Sequence, residues 1–227
     1  MTAVADPADP FAETTVDEDF DPFANADDVK SGGVFVPWPG IDAVAGRLIV
    51  LVPRRFDKEA KVSDYLQKTY QLPATREEWT TDLVVLDGGD LSYTYQSKVD
   101  GSKDEYEEKT HEVAAADLPF LVPNWRVSWA NMIGTLNGLA KLATPVGFGH
   151  IRAGYSAKEM RAGKTFEDFA AEEEAYYAAI AANPRQTKID KPKPRWHFVL
   201  SKDPADKAKA LAWWKAAAAS GYKLTEG

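Results

Sequence analysis

Gly46-Arg47-Leu48-Ile49-Val50-Leu51-Val52-Pro53 is the stretch on which the fold turns. After Gly46 and Arg47, Leu48 to Val52 is an apolar, β-branched run. It reads as a strand buried on at least one face, ending at Pro53. Just upstream, Val34-Phe-Val-Pro-Trp-Pro39 follows the permissive Ser31-Gly32-Gly33, so order is expected to begin there, without a helix. Downstream, Arg54 to Gln71 is polar and carries Arg54, Arg55, Lys58, Lys61 and Lys68. It reads as a long basic loop with a short helix around Val62 to Tyr70.

Two further strand signals follow. Trp79 to Leu86 ends in Asp87-Gly88-Gly89-Asp90, and Leu91 to Lys98 alternates cleanly, so the two are expected to form a hairpin. In the second, Leu91, Tyr93, Tyr95 and Ser97 share one face, which places two tyrosines side by side. A charged connection, Asp100 to Glu112, leads to a helix expected over Val127 to Leu142 with a stripe of Trp129, Ile133, Leu136 and Leu139. Gly134 and Gly138 in it are expected to permit close packing on the sheet.

Val146 to Arg152 is the fourth strand, its glycines suggesting a bulge or a close backbone approach. Thr165 caps an acidic helix to Ala182, stopped by Pro184. Arg185 to Arg195 is a basic, proline-rich connector, and Trp196 to Leu200 the fifth strand. A last helix runs from about Pro204 to Ser220, capped by Asp203, with Ala208, Leu211, Ala212 and Trp214 to Lys215 on its docking side.

Mostly β with helices, this is an α+β chain. Its element order is that of a five-stranded Greek-key barrel of the oligonucleotide-binding (OB) type, with one helix between strands three and four, an inserted helix (about 157–184) between strands four and five, and a C-terminal helix. Such barrels bind nucleic acid on the face of strands two and three and through the first and fourth loops, the two loops that are basic here. The expected division is an acidic arm over 1–33, an OB-like domain over 34–203 and a helix packed on it over 204–227.

The chain has 227 residues and 25.0 kDa, the size of one domain with appendages. No apolar run approaches the roughly 18 residues of a membrane helix, no charged-then-apolar leader opens the chain, and cysteine is absent. A cytoplasmic protein with no membrane partner, disulfide framework or thiolate metal site is the expectation. The net charge of −8 is unevenly spread. Residues 1–29 hold nine acids and no base, which leaves the rest of the chain at +1. That arm has little to bury and is expected to be disordered. Asp9-Pro10-Phe11 recurs in it as Asp21-Pro22-Phe23, beside Phe20. These phenylalanines are candidate anchors for a partner protein, and a solubilising tail is the plainer alternative.

Catalytic parts are missing. His111, His150 and His197 lack metal-ligand spacing, there is no cysteine nucleophile, no phosphate-binding loop exists, and Glu172-Glu173-Glu174 point in different directions on a helix. No enzyme and no cofactor are expected. Sequence-tolerant single-strand binding needs a cationic track and aromatic faces. Candidate stacking residues are Trp79, Tyr93, Tyr95, Trp196 and Phe198, with core packing as the competing reading, strongest for Trp79 and Phe198. Candidate phosphate contacts are Arg47, Arg54, Arg55, Lys58, Lys61, Lys98, Arg152, Lys188, Lys191, Lys193 and Arg195.

Several blocks resemble a family of single-stranded-DNA-binding proteins of actinobacterial tailed phages. They are Asp21-Pro22-Phe23-Ala24 after an acidic lead, Gly46 to Pro53, Thr80-Thr81-Asp82-Leu83-Val84-Val85-Leu86-Asp87-Gly88, and Pro194-Arg195-Trp196-His197-Phe198 before a Lys- and Ala-rich helix. The resemblance covers about a third of the chain and none of these blocks is a catalytic signature. It implies an OB-like fold, single-stranded DNA as partner and a role in phage replication or recombination within the host cytoplasm. Contacts to replication or recombination proteins through the arm are expected from its charge and its Asp-Pro-Phe pair. The acidic helix from Thr165 departs from the pattern. A phage structural or assembly protein, using the barrel to bind protein, is the alternative, and homo-oligomer formation stays open.

Overall fold

A computed structural model describes residues 37–63, 67–68, 71–98, 106–183 and 190–222. The acidic arm with Phe11, Phe20 and Phe23, and the connector residue Lys188, lie outside them.

The chain is α+β and its strands pair antiparallel. Strands β1 (Leu48–Lys61), β2 (Thr75–Val85), β5 (Phe120–Val127), β6 (Gly147–Gly154) and β7 (Arg195–Leu200) form one sheet in the order β5-β2-β1-β6-β7. Strands β3 (Leu91–Lys98) and β4 (Tyr106–Val113) form a separate two-stranded ribbon. The third strand of the main sheet is therefore Phe120–Val127 and not Leu91–Lys98, and the expected β2–β3 hairpin does not form. Asp87-Gly88-Gly89-Asp90 is a corner that carries the chain out of the sheet. Gly88 and Gly89 have φ of 116° and 73°, and Arg47 fastens the corner by donating to the carbonyls of Gly89 (2.9 Å) and Asp90 (2.5 Å).

Residues 48–53 of β1 are buried on both faces because both are covered. Ile49 and Leu51 join a first core with Leu83, Val85, Trp125, Val127 and helix α2 (Ala130–Leu139), which contributes Met132, Ile133, Leu136 and Leu139. The short helix α1 (Ile41–Val44) and the β3–β4 ribbon close this core through Ile41, Val44, Leu91, Tyr93 and Val113. Val50, Val52 and Val84 join a second core under helix α5 (Pro204–Ala219), which docks through Ala210, Trp213 and Trp214. Ala208, Ala212 and Lys215 of that helix are exposed, so its docking side is rotated from the expected one. Gly134 and Gly138 face open space, where an added Cβ would meet nothing, so they do not mediate close packing.

β1 does not stop at Pro53. It continues to Lys61 through a register shift between Pro53 and Arg55, where the ladder does not need the N–H that proline lacks. The expected basic loop is thus, as far as Lys61, a β-ribbon paired with the first half of β2. In β6 the glycines do mark a close approach: a Cβ on Gly149 would collide with the Val199 carbonyl. Two helices separate β6 from β7, α3 (Ala157–Arg161) and α4 (Phe166–Ala182). Thr165 caps α4 as expected, its hydroxyl accepting from Asp168 N at 3.0 Å while the Asp168 carboxylate accepts from Thr165 N at 2.9 Å.

Candidate nucleic-acid interface

On the sheet face that carries α5, the register aligns Arg55 with Thr80 and Thr80 with Arg126, one row across β1, β2 and β5. This row lies four residues along β2 from Val84, the level at which α5 docks. The guanidinium of Arg126 sits 5.2 Å from the centroid of Trp38, an indole 42% exposed. Glu78, buried, accepts from Arg76 at 2.9 Å and pairs with Arg126 at 3.4 Å, which holds both arginines at the sheet surface.

Trp38 is held rigidly from behind. The Pro37 carbonyl accepts from the Tyr93 hydroxyl at 2.6 Å, and the Pro39 carbonyl accepts from Trp125 Nε1 at 3.1 Å. Two prolines with fixed φ, pinned by two core residues, leave the indole between them outward-facing and pre-positioned. None of Trp38, Arg76 and Arg126 was a candidate from sequence. In sequence, Pro37-Trp38-Pro39 marks only the start of order, and Arg126 follows Pro123 and Asn124 in a segment without strand alternation.

Several candidates serve the fold instead. Arg47 fastens the Gly88–Gly89 corner. Arg54 donates to Asp82 twice, at 2.9 and 2.6 Å, and stacks 5.2 Å from the Tyr222 ring, whose hydroxyl donates to the same carboxylate at 2.8 Å. This triad seals the edge of α5. Burial, then the Asp82 charge, raises the Tyr222 pKa. Trp79, 2% exposed, donates to Asn137 Oδ1 at 2.9 Å; Tyr93 and Phe198 are likewise buried, so these three rings offer no face to a base. Tyr95 is half-buried, and Trp196 is half-buried against the first core. Lys98 ends β3 opposite Tyr106.

Arg55, Lys58 and Lys61 are exposed on the β1–β2 ribbon. Arg76 joins them there, but so do Asp57, Glu59, Glu77 and Glu78, so the ribbon is charge-balanced where a count of bases alone suggests a cationic loop.

The other basic candidates gather between β6 and β7. β6 runs antiparallel to β1, so this connection leaves where β1 begins, whereas the β1–β2 connection leaves where β1 ends. Arg152 donates to Glu167 at 2.9 Å and lies 4.5 Å over the Phe166 ring. Lys191 lies 5.3 Å over Tyr177, whose hydroxyl raises the lysine pKa. Lys193 and Arg195 line a cleft of about 270 Å³ with Tyr155, Ser156, Glu159, Phe169, Glu172 and Pro192.

The histidines are dispersed. His111 lies between the rings of Tyr93 and Phe120, His150 Nε2 is 3.1 Å from Asp206, and His197 Nε2 is 2.8 Å from the Tyr155 carbonyl oxygen. Among the described residues no three His, Asp or Glu side chains are grouped to hold a metal, and no helix is long and apolar enough to cross a membrane. Comparison with protein-family models, with curated proteins and with solved structures finds no match to this chain.

Proposed function

We propose that the chain is a non-catalytic, sequence-tolerant single-stranded-DNA-binding protein with an OB-type Greek-key barrel. With the β3–β4 ribbon set aside as an insertion, the order β5-β2-β1-β6-β7 is third, second, first, fourth, fifth. A fourth strand that returns beside the first is the Greek-key arrangement, and α2 falls between the third and fourth strands. OB barrels bind through the face of strands two and three. The observation that carries the reading is the pinned Trp38 on Arg126 of the third strand, in one row with Thr80 and Arg55. An indole fixed beside cations is what base stacking next to a phosphate track requires, and stacking contributes about 1–3 kcal/mol per base. A role in phage replication or recombination follows from the resemblance. The nine-acid arm joins the body just before Trp38 and would compete there with the strand, freeing its phenylalanines for a partner when displaced.

The test is fluorescence anisotropy of a labelled thymidine oligomer of about 30 nucleotides at several salt concentrations, with Arg126→Ala beside the wild type. The log–log salt slope is expected to be negative and to lose about 0.7 in the variant, one phosphate contact. No salt-dependent binding, by the full chain or by a chain lacking residues 1–29, overturns the reading and favours a protein-binding assembly module.

A further inference from the structure

Glu78 on β2 joins an arginine of its own strand to one of β5. Its Oε2 accepts from Arg76 Nη2 at 2.9 Å, and its Oε1 lies 3.4 Å from Arg126 Nη1. The three side chains are layered. The Glu78 side chain is 7% exposed, whereas those of Arg76 and Arg126 are 31% and 54% exposed. A ligand approaching this face of the sheet therefore meets the two guanidiniums before the carboxylate beneath them. Each arginine faces the carboxylate with one terminal nitrogen, and a guanidinium carries five N–H donors, so both can engage a second oxyanion without leaving the first. Asp57, opposite Glu78 on β1, lies 4.0 Å from Arg55. Glu77 belongs to the other face, because successive residues of a strand alternate.

We propose that Arg76 and Arg126 grip two successive phosphates of a single strand, and that Glu78 is the positioning residue of this clamp. The clamp rests on the single-strand reading above and adds to it a second phosphate contact and a direction. Arg126 lies 5.2 Å from the Trp38 ring centroid, so the phosphate it takes belongs to the nucleotide stacked on that exposed indole. Arg76 lies four residues along β2 from Thr80, the partner of Arg126, on the side away from Val84 and α5. The strand is thus led from Trp38 along β2 toward the β1–β2 connection. One carboxylate separates the two guanidiniums, a gap that one nucleotide bridges. Holding both arginines in place before the strand arrives removes the cost of ordering two long side chains on binding.

Affinity and log–log salt slope of the full chain for oligothymidine of about 30 nucleotides test this. Arg76→Ala is expected to reduce the slope by about 0.7, as Arg126→Ala does, and the double variant by about 1.4. Glu78→Asp keeps the charge but is one methylene too short to reach both arginines. It is expected to weaken binding at least about threefold, where charge alone would leave the affinity unchanged. A slope lowered by Arg126→Ala and untouched by Arg76→Ala would overturn the clamp and leave single-strand binding standing. Wild-type affinity in Glu78→Asp would overturn the positioning role given to Glu78. No binding by the wild-type chain would overturn both readings together.

Discussion

Tyr93 sits in a row with Tyr95 that a period-two pattern makes visible, but the pattern alone cannot say which side of the ribbon faces the core. The structure turns Tyr93 inward, 6% exposed, with its hydroxyl on the Pro37 carbonyl. Burial, reinforced by Tyr95, pushes its pKa from 10.0 up to about 12. The folded state thus holds this proton more tightly than the unfolded chain does. The associated stability is intact below pH 10 and is lost as pH rises through 12. Tyr93→Phe is expected to cost about 1 kcal/mol at neutral pH, from the orphaned Pro37 carbonyl, and to flatten the loss of stability above pH 10. Denaturant midpoints across that range check both, and a variant with wild-type stability at pH 7 would contradict the role given to this bond. Arg47 and Arg54 were legible as cations but not as fold residues, because their partners lie 42 and 28 positions away.

At the scale of elements, strand character was legible in β1, β2, β3, β6 and β7, and helix character in the capped α4 and α5. β5 was hidden by Pro123 and by Asn124, whose φ of 56° belongs to an irregularity between Val122 and Trp125. Its apolar positions do not alternate strictly across that break. β4 was hidden because seven of its eight residues are exposed or half-buried, and so carry no core pattern. The C-terminal helix was legible by its cap, Asp203, whose carboxylate accepts from Ala205 N at 2.8 Å. What locks it in place was not. Asp82 joins Tyr222, Arg54 and the Asn124 N–H in one network. Asp82→Ala leaves a partly buried guanidinium without its carboxylate and is expected to cost about 2–3 kcal/mol, with faster amide exchange in residues 204–222. Unchanged exchange in α5 would show that Trp213 and Trp214 hold it unaided.

For the molecule as a whole, the docking of α5 divides the outer face of the sheet. α5 covers one level of the outer sheet face and leaves the next level, with Arg55, Thr80, Arg126 and Trp38, open. That the chain is α+β was legible from its apolar strand runs and capped helices; the order of the main sheet was not, because Leu91–Lys98 reads as the third strand and Phe120–Val127 takes that place. The proposed binding face was legible only as a region. Its residues come from segments that meet through pairing, and Pro37-Trp38-Pro39 reaches them through two core hydrogen bonds that no local pattern announces. Trp38 is therefore the residue on which the account stands. Titrating the wild type and Trp38→Ala with oligothymidine, while following intrinsic tryptophan emission, tests it most directly. The account predicts quenching in the wild type, its loss in the variant, and affinity lower by about 1–3 kcal/mol at unchanged thermal stability. Equal affinity and equal quenching in the two proteins would contradict it.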